Sequence, residues 1–304
     1  GQGDTRRGTL PPRAMQRPPS SVVSLSERAF LLTASSEGVR VDGRGLRELR
    51  PFTLALGPAL GMAEVTLGDT RVLATVSAEL VEPYPDRPTE GSFSLNVELS
   101  PMASPCFEPG RPSAEAIEMS RAIERALVKS NAVDLEALVV LPGKKVWAVR
   151  CDVTALDHCG NLFDASAFAA AAALRHFRKS YVRIHSGDES GTRLEVCPPD
   201  VEEPEPLALR NLPLGCSFAL LPADESGTEP PLIFVDATER EEAIALGFVS
   251  VMLNSAGELC ALHKVGGVAV DPAQLRECVA AAEINVRKFS QVLEAAIKAL
   301  PVIR

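Results

Sequence analysis

The segment 157–166, with the sequence DHCGNLFDAS, holds the first side chains that could do chemistry. Free backbone amides at the start of a helix bind anions such as phosphate, most effectively beside an arginine or a threonine. Here residues 161–163 are Asn-Leu-Phe, and Asp164 or Ser166 is predicted to cap the helix. A carboxylate at the cap occupies the amides itself and repels phosphate. The local chemistry therefore favours a self-capped structural helix over an anion site.

A second group of candidate residues is acidic and lies in the sequence DATEREEA at 236–243. Neighbouring carboxylates such as Glu241 and Glu242 can hold a metal ion or transfer a proton. Together with Glu239 they can also form the acidic first turn of a helix or a solvated surface. The residues alone leave both interpretations open.

Cysteine and histidine give no indication of a metal site. The 7 cysteines are scattered and never form a C-x-x-C pair, and the 4 histidines never form H-E-x-x-H. We therefore predict neither a disulfide framework nor a zinc site. Because the sequence lacks both a run of roughly 18 apolar residues and the apolar core of a signal peptide, we expect an intracellular protein without a membrane segment.

The composition is that of a folded protein, with 46% hydrophobic and 23% charged residues. The net charge of -9 looks unfavourable for binding nucleic acid, but its distribution is uneven. The windows 187–206 and 222–242 carry seven carboxylates each, so the rest of the chain is close to neutral or basic. We interpret both windows as solvated loops rather than as acidic docking surfaces.

The first part of the chain predicts mixed secondary structure. Residues 1–24 are expected to be a flexible tail, Ser26 to cap a helix that ends near Gly38, and residues 39–51 to form an ordered polar loop. Between Phe52 and Leu99, short alternating apolar runs separated by turns predict antiparallel, hairpin-connected strands. The remaining predictions are a helix opened by Ser113 and ending near Lys129, strands at 135–141 and 144–156, and an alanine-rich helix at 164–178.

The second part repeats this outline. Strands are predicted near 181–196, 214–221, 231–236, 247–253 and 258–270. A long helix then opens at Asp271-Pro272, a cap followed by the preferred first-turn proline. Two groups of strands, each closed by a helix, predict an α+β fold with helices packed on mixed sheets. We place the division at 25–180 and 181–304.

Several strings in this sequence resemble the RNase PH family, and more closely the ring subunits of the eukaryotic RNA exosome. They are RVDGRGLRELRP at 40–51, LGDTRVLATVSAEL at 67–80, RPTEGSFSLNVELSPMASPCFEPGR at 87–111, GKKVWAVRCDVTALDHCGNLFDAS at 143–166 and LIFVDATEREEA at 232–243. The resemblance spans roughly residues 25–300 and implies the ribosomal protein S5 domain 2-like fold of that family.

The resemblance also implies what chemistry to expect. The Gly-Thr-Arg string of active members corresponds to residues 160–162, which are Gly-Asn-Leu here. Their Glu-Asp string corresponds to Glu241 and Glu242, but their later aspartate corresponds to Phe248. We therefore expect a subunit with no catalytic residue, metal or cofactor of its own. The alternative is a phosphate-dependent 3′→5′ exoribonuclease that acts with a partner ring subunit.

The arginines that the resemblance places against RNA are Arg87, Arg111, Arg121 and Arg125. The first lies in a loop that faces the central channel in ring subunits, and the second resembles a family arginine that contacts phosphate. The last two are expected on the same wall, where they could instead pair along their helix with Glu118 or Glu124. Together, such arginines would bind the RNA backbone without sequence preference.

The partners implied by the resemblance are those of an exosome ring. RNA threads the central channel 3′ end first, a second RNase PH-like subunit completes a heterodimer within a six-membered ring, and S1/KH proteins cap the ring. Exosome-associated nucleases dock on it, and the complex serves rRNA processing and mRNA turnover in nucleus, nucleolus and cytoplasm. A purely structural scaffold without RNA contact is the third possibility.

Overall fold

The computed structural model describes residues 23–185, 193–198, 201–223 and 230–299, so the predicted tail lies almost wholly outside the described residues. Helix α1 (Leu25–Ser36) begins after Ser24, whose hydroxyl accepts a hydrogen bond from the Glu27 backbone N–H at 3.2 Å. The prediction that Ser26 caps this helix is wrong by two positions, because Ser24 is the residue with extended backbone dihedrals.

The first sheet has six strands. They are β1 (Phe52–Leu56), β2 (Met62–Leu67), β3 (Thr70–Val81), β4 (Ser92–Leu99), β5 (Val139–Leu141) and β6 (Lys145–Asp157), in the order β1-β2-β3-β6-β4 with β5 beside β6. The antiparallel prediction holds for β1 to β3. It is wrong for β4, which runs parallel to β6, because the chain crosses over through a helix between these two strands.

That crossover is helix α2 (Ala114–Lys129), which Ser113 caps as predicted. The Ser120 hydroxyl accepts a hydrogen bond from the backbone N–H of Val97 in β4 at 2.9 Å and donates one to the Ala116 carbonyl at 2.7 Å. The helix therefore covers the open edge of β4 and satisfies a strand amide that has no strand partner. A 3-10 turn (Glu136–Leu138) replaces the first part of the strand predicted at 135–141, of which only β5 is a strand.

Helix α3 (Leu162–His176) is the central element of the molecule. It begins two residues before the predicted start, after Asn161, which has left-handed dihedrals (φ 55°, ψ 47°). The alanines from Ala169 to Ala173 are fully buried, because the helix packs against both sheets. Small side chains on every face allow this close approach from both sides.

The second half adds the strands β7 (Arg178–Lys179), β8 (Val182–His185), β9 (Arg193–Val196), β10 (Glu205–Pro206), β11 (Leu214–Leu221), β12 (Leu232–Val235), β13 (Gly247–Leu253) and β14 (Leu259–Gly266). It also contains helices α4 (Glu239–Ile244) and α5 (Pro272–Lys298). Strands β12-β11-β13-β14 form the second sheet, and α5 packs with α3 between the two sheets. The predicted α+β class is confirmed. Among the described residues, none of the helices combines the length and apolarity needed to cross a membrane.

Candidate functional site

The start of α3 lies where the two halves of the chain meet. The backbone N–H of Asn161 donates a hydrogen bond to Glu242 Oε1 at 2.8 Å, so a carboxylate from α4 occupies the first amide of α3. The Gly160 carbonyl accepts hydrogen bonds from Thr70 Oγ1 at 2.7 Å and from Arg50 Nη2 at 3.1 Å. Side chains of this chain therefore bind both the Asn161 N–H and the Gly160 carbonyl of the loop before α3.

Asp236 is the buried centre of this region. Its carboxylate accepts hydrogen bonds from the Arg50 backbone N–H and guanidinium at 2.7–2.9 Å, and from Asn161 Nδ2 at 2.9 Å. Arg44 adds an ion pair at 3.1 Å. Burial alone would raise the pKa of Asp236, but the hydrogen bonds and charge of Arg50 outweigh it, and the pKa lies below its usual value. Asp236 is thus an ionised anchor for two arginines of the predicted polar loop.

A second buried pair joins that loop to α4. Arg40 donates hydrogen bonds to both carboxylate oxygens of Glu241, at 2.9 and 2.6 Å, and to the carbonyls of Val235 and Asp236. Glu241 also closes the capping box of α4 with Thr238. Glu239, Glu241 and Glu242 thus form the acidic first turn of a helix, one of the interpretations that the sequence left open. The solvated-loop interpretation of the window 222–242 is wrong for Asp236 and Glu241, because arginines from residues 40–50 bury both carboxylates.

Asp164 does not cap α3, contrary to the sequence prediction. Its carboxylate points into the core and accepts hydrogen bonds from the backbone N–H and hydroxyl of Ser217, at 2.8 and 2.7 Å, and from Asn161 Nδ2 at 2.9 Å. Complete burial raises the pKa of Asp164 to about 6, although these hydrogen bonds oppose the shift. A carboxylate does meet the start of the helix, but it comes from Glu242 rather than from the helix itself.

The four predicted RNA-contacting arginines are exposed. Arg87 forms an ion pair with Glu90 at 3.5 Å in the loop between β3 and β4. The alternative pairing of Arg121 or Arg125 with Glu118 is not formed, because Glu118 lies 3.1 Å from His263 of β14. Within the described residues, neither of these arginines forms an ion pair. Burial raises the pKa of Glu124, and the charge of Arg121 opposes that shift.

The structure brings three of these arginines together and separates the fourth. Arg121 and Arg125 lie one turn apart on α2, and Arg111 precedes the same helix in the loop that follows β4. Arg87 precedes β4, at the other end of that strand. The backbone N–H of His158 donates to the Ala103 carbonyl at 3.2 Å, so the Arg111 loop also adjoins the loop before α3.

A cavity of about 530 Å³, which no sequence pattern predicted, adjoins the same loop. Its polar lining residues include Asp69, Arg71, Asp157 and His158. The Arg71 guanidinium is engaged by Glu64 and lies 3.7 Å from Asp157, so its charge is already matched. This cavity is therefore a poor match for phosphate.

Comparison with known proteins gives the family. Residues 48–180 match the 3′ exoribonuclease family, domain 1, and residues 211–285 match domain 2 of the same family, the RNase PH domains. The chain belongs to the RNase PH family. The resemblance seen in the sequence strings is confirmed.

Among curated proteins, this chain is similar to exosome complex components from several eukaryotes. It is 39% identical to RRP45A of Arabidopsis thaliana, over 91% of this chain and 88% of the relative. It is 37% identical to rrp45 of Schizosaccharomyces pombe, over 90% of each protein. Identity to RRP45 of Homo sapiens is 38%, over 91% of this chain but only 60% of the longer human protein.

Solved structures support the same assignment of fold. The Archaeoglobus fulgidus exosome with RNA bound to the active site contains a chain that superposes with a TM-score of 0.73 at 32% identity, covering 87% of this chain and 96% of that one. An archaeal exosome core gives a TM-score of 0.71 at 29% identity, covering 88% and 96%. The predicted RNase PH-like fold is confirmed.

Proposed function

We propose that this chain is a non-catalytic, RNA-contacting subunit of the RNA exosome core ring. In that role it supports 3′→5′ RNA processing and degradation, including rRNA processing and mRNA turnover. The proposal is supported by similarity over about nine-tenths of the chain to exosome components of a plant and a yeast. It is also supported by the match to an archaeal exosome chain solved with RNA.

One observation carries the non-catalytic part of the proposal: the hydrogen bond from the Asn161 N–H to the Glu242 carboxylate. A phosphate at the start of α3 would have to displace that carboxylate and would face its negative charge. Residues 161–163 supply no cationic side chain, and the nearby Arg50 is committed to Asp236. The occupied Asn161 amide and the lack of a free cation on residues 161–163 therefore support a subunit that does not carry out phosphate-dependent cleavage.

The RNA-contacting part rests on the exposed arginines. Arg111, Arg121 and Arg125 project from one helix and the loop before it, and none of the three forms an ion pair within the described residues. An exposed guanidinium without a carboxylate partner is available for a phosphate oxygen. Together with Arg87, they bind single-stranded RNA through its backbone, with strong dependence on salt and little on sequence.

The proposed partners are those of a subunit in the exosome core ring. The chain forms a heterodimer with a second RNase PH-like subunit, S1/KH proteins cap the assembled ring, and exosome-associated nucleases act on the RNA that leaves it. RNA passes through the central channel. We place the complex in nucleus, nucleolus and cytoplasm.

The test is phosphate-stimulated release of nucleoside diphosphates from RNA by the purified heterodimer. Glu242→Gln keeps an oxygen that accepts from the Asn161 N–H but removes the negative charge needed for metal or proton chemistry. We expect any activity of the heterodimer to be unchanged by Glu242→Gln, as by the control Glu239→Gln. A loss of 100-fold or more with Glu242→Gln alone, in an intact heterodimer, would instead establish the phosphate-dependent exoribonuclease.

A further inference from the structure

Helix α2 exposes three cations in a row. Arg121, Arg125 and Lys129 follow one another at four-residue steps and are all exposed. Each step advances about 6 Å along the helix axis and drifts about 40° around it, so the three side chains form a slanted stripe about 12 Å long on one side of the helix.

This arrangement has an energetic cost for the helix. Like charges four residues apart destabilise a helix by a few tenths of a kcal/mol per pair. Two of the exposed cations on helix α5 form ion pairs with carboxylates four residues earlier, Arg287 with Glu283 and Lys298 with Glu294. Within the described residues, none of the three cations on α2 forms an ion pair, and only Arg121 is close enough to a carboxylate of this helix, Glu124, to affect its pKa. A row of cations without ion pairs fits a polyanion with regularly spaced charges.

The topology places Lys129, at the C-terminal end of this stripe, toward the loop that carries Arg87. Ser120 contacts Val97 in the middle of β4, and the Leu135 carbonyl, just after α2, accepts a hydrogen bond from the Gly91 N–H at 2.9 Å, just before β4. Helix α2 thus runs antiparallel to β4, and both elements are about 25 Å long. The helix starts beside the loop that carries Arg111 and ends toward the loop that carries Arg87.

We propose that Lys129 is a phosphate contact that joins Arg87 to Arg121 and Arg125 in one continuous basic track for single-stranded RNA. The inference rests on the proposed function, because the track is useful only to a subunit that guides RNA. Lys129 fills the gap that the four arginines leave between the two ends of β4. RNA bound along α2 would pass from the Arg87 loop toward the Arg111 loop and the start of α3.

The test measures RNA affinity against salt, with the chain assembled in its ring and a fluorescently labelled single-stranded oligouridine as the probe. Each lost phosphate contact lowers the magnitude of the slope of log K against log salt by about 0.7. We expect this decrease for Lys129→Gln and retention of the original slope for Lys129→Arg. Lys298→Gln is the matched control, because Lys298 also lies in the last turn of a helix. It should leave the slope unchanged.

Parallel measurements on Arg121→Gln and Arg125→Gln separate the two proposals. If these arginine variants lower the slope and Lys129→Gln does not, the role of Lys129 is overturned while the proposed function stands. If none of the three variants changes the slope, RNA contact along α2 fails and the proposed function loses its RNA-binding part. If Lys129→Gln blocks ring assembly where Lys298→Gln does not, Lys129 is a subunit contact and the inference is overturned.

Discussion

Arg40 and Glu241 form a buried, two-pronged ion pair between residues 201 positions apart in the chain. The pair joins the segment after α1 to the first turn of α4, and both side chains are almost fully buried. Glu241 has no other cation within the described residues to replace Arg40. The pair therefore fixes the position of α4, the helix that supplies Glu242 to the start of α3.

Removing Arg40 should be strongly destabilising. Arg40→Ala leaves an uncompensated carboxylate in the core, so we expect the free energy of unfolding to fall by about 3–5 kcal/mol. The matched control is Arg47→Ala, which breaks the exposed pair with Glu277 and should cost about 0–1 kcal/mol. Urea unfolding of the purified heterodimer measures both values. Equal, small losses for the two variants would contradict the role given to Arg40.

The buried Asp164 should make stability depend on pH. Because its pKa is raised from 3.8 to about 6 on folding, ionisation is less favourable in the folded chain than in the unfolded one. This group therefore stabilises the fold least above pH 6, and its contribution declines as the pH rises from about 4 to about 6. Asp164→Asn removes the titration and keeps an oxygen that accepts from the Ser217 backbone.

We expect the difference in unfolding free energy between wild type and Asp164→Asn to change by about 3 kcal/mol across that window, in favour of the variant at the higher pH. Equilibrium unfolding at a series of pH values measures it. Asp157→Asn, at a half-exposed carboxylate, is the control. A difference that stays constant from pH 4 to pH 7 would refute the prediction.

Much of the fold was predictable because its signals are local. The alternation in 52–81 predicts strands with one buried face, and Ser113 and Asp271 predict the starts of two helices through cap rules. Alternation reveals which face of a strand is buried but not which strand lies beside it. The parallel pairing of β4 with β6 follows from the crossover through α2, which is a property of the whole sheet.

The contacts at the start of α3 could not be predicted from the sequence, because they too join residues that are far apart in the chain. Local cap rules weigh residues within one turn, so they favoured Asp164. The carboxylate that meets the helix, Glu242, is 81 residues away, and it reaches the helix because Arg40 and a hydrogen bond from the Glu239 N–H to the Cys159 carbonyl hold α4 beside this loop. The arginine-rich segment 40–50 was correctly predicted to be ordered, but its partners Asp236 and Glu241 are likewise distant in sequence.

The link between α2 and β4 gives a further prediction. Ser120→Ala leaves the buried backbone N–H of Val97 without its acceptor, so we expect a loss of about 1–3 kcal/mol in unfolding free energy. Ser77→Ala, at an exposed position of the same sheet, should change stability by less than about 0.5 kcal/mol. Amide hydrogen exchange gives an independent readout, with faster exchange at Val97 in the Ser120 variant. Unchanged exchange at Val97 would rule out the capping role.

Substitution of Gly160 by alanine tests how tightly the loop before α3 is packed. A Cβ at this position would lie 2.5 Å from the Ala237 carbonyl oxygen and 2.6 Å from the Glu239 nitrogen, and its φ of +93° already disfavours a side chain. Gly143 also has a positive φ, +73°, but a Cβ there meets nothing within 4 Å. Gly143→Ala therefore reports the cost of the backbone conformation alone, about 1–2 kcal/mol.

We expect Gly160→Ala to cost clearly more than Gly143→Ala, because backbone atoms on the facing segment have to move apart. That movement would separate Asn161 from Glu242 and open the first amide of α3. Thermal or urea unfolding compares the two losses of stability, and the Asn161 amide resonance reports the lost hydrogen bond. Equal losses for the two alanine variants, with an unchanged Asn161 resonance, would mean that the loop is not pressed against residues 237–239.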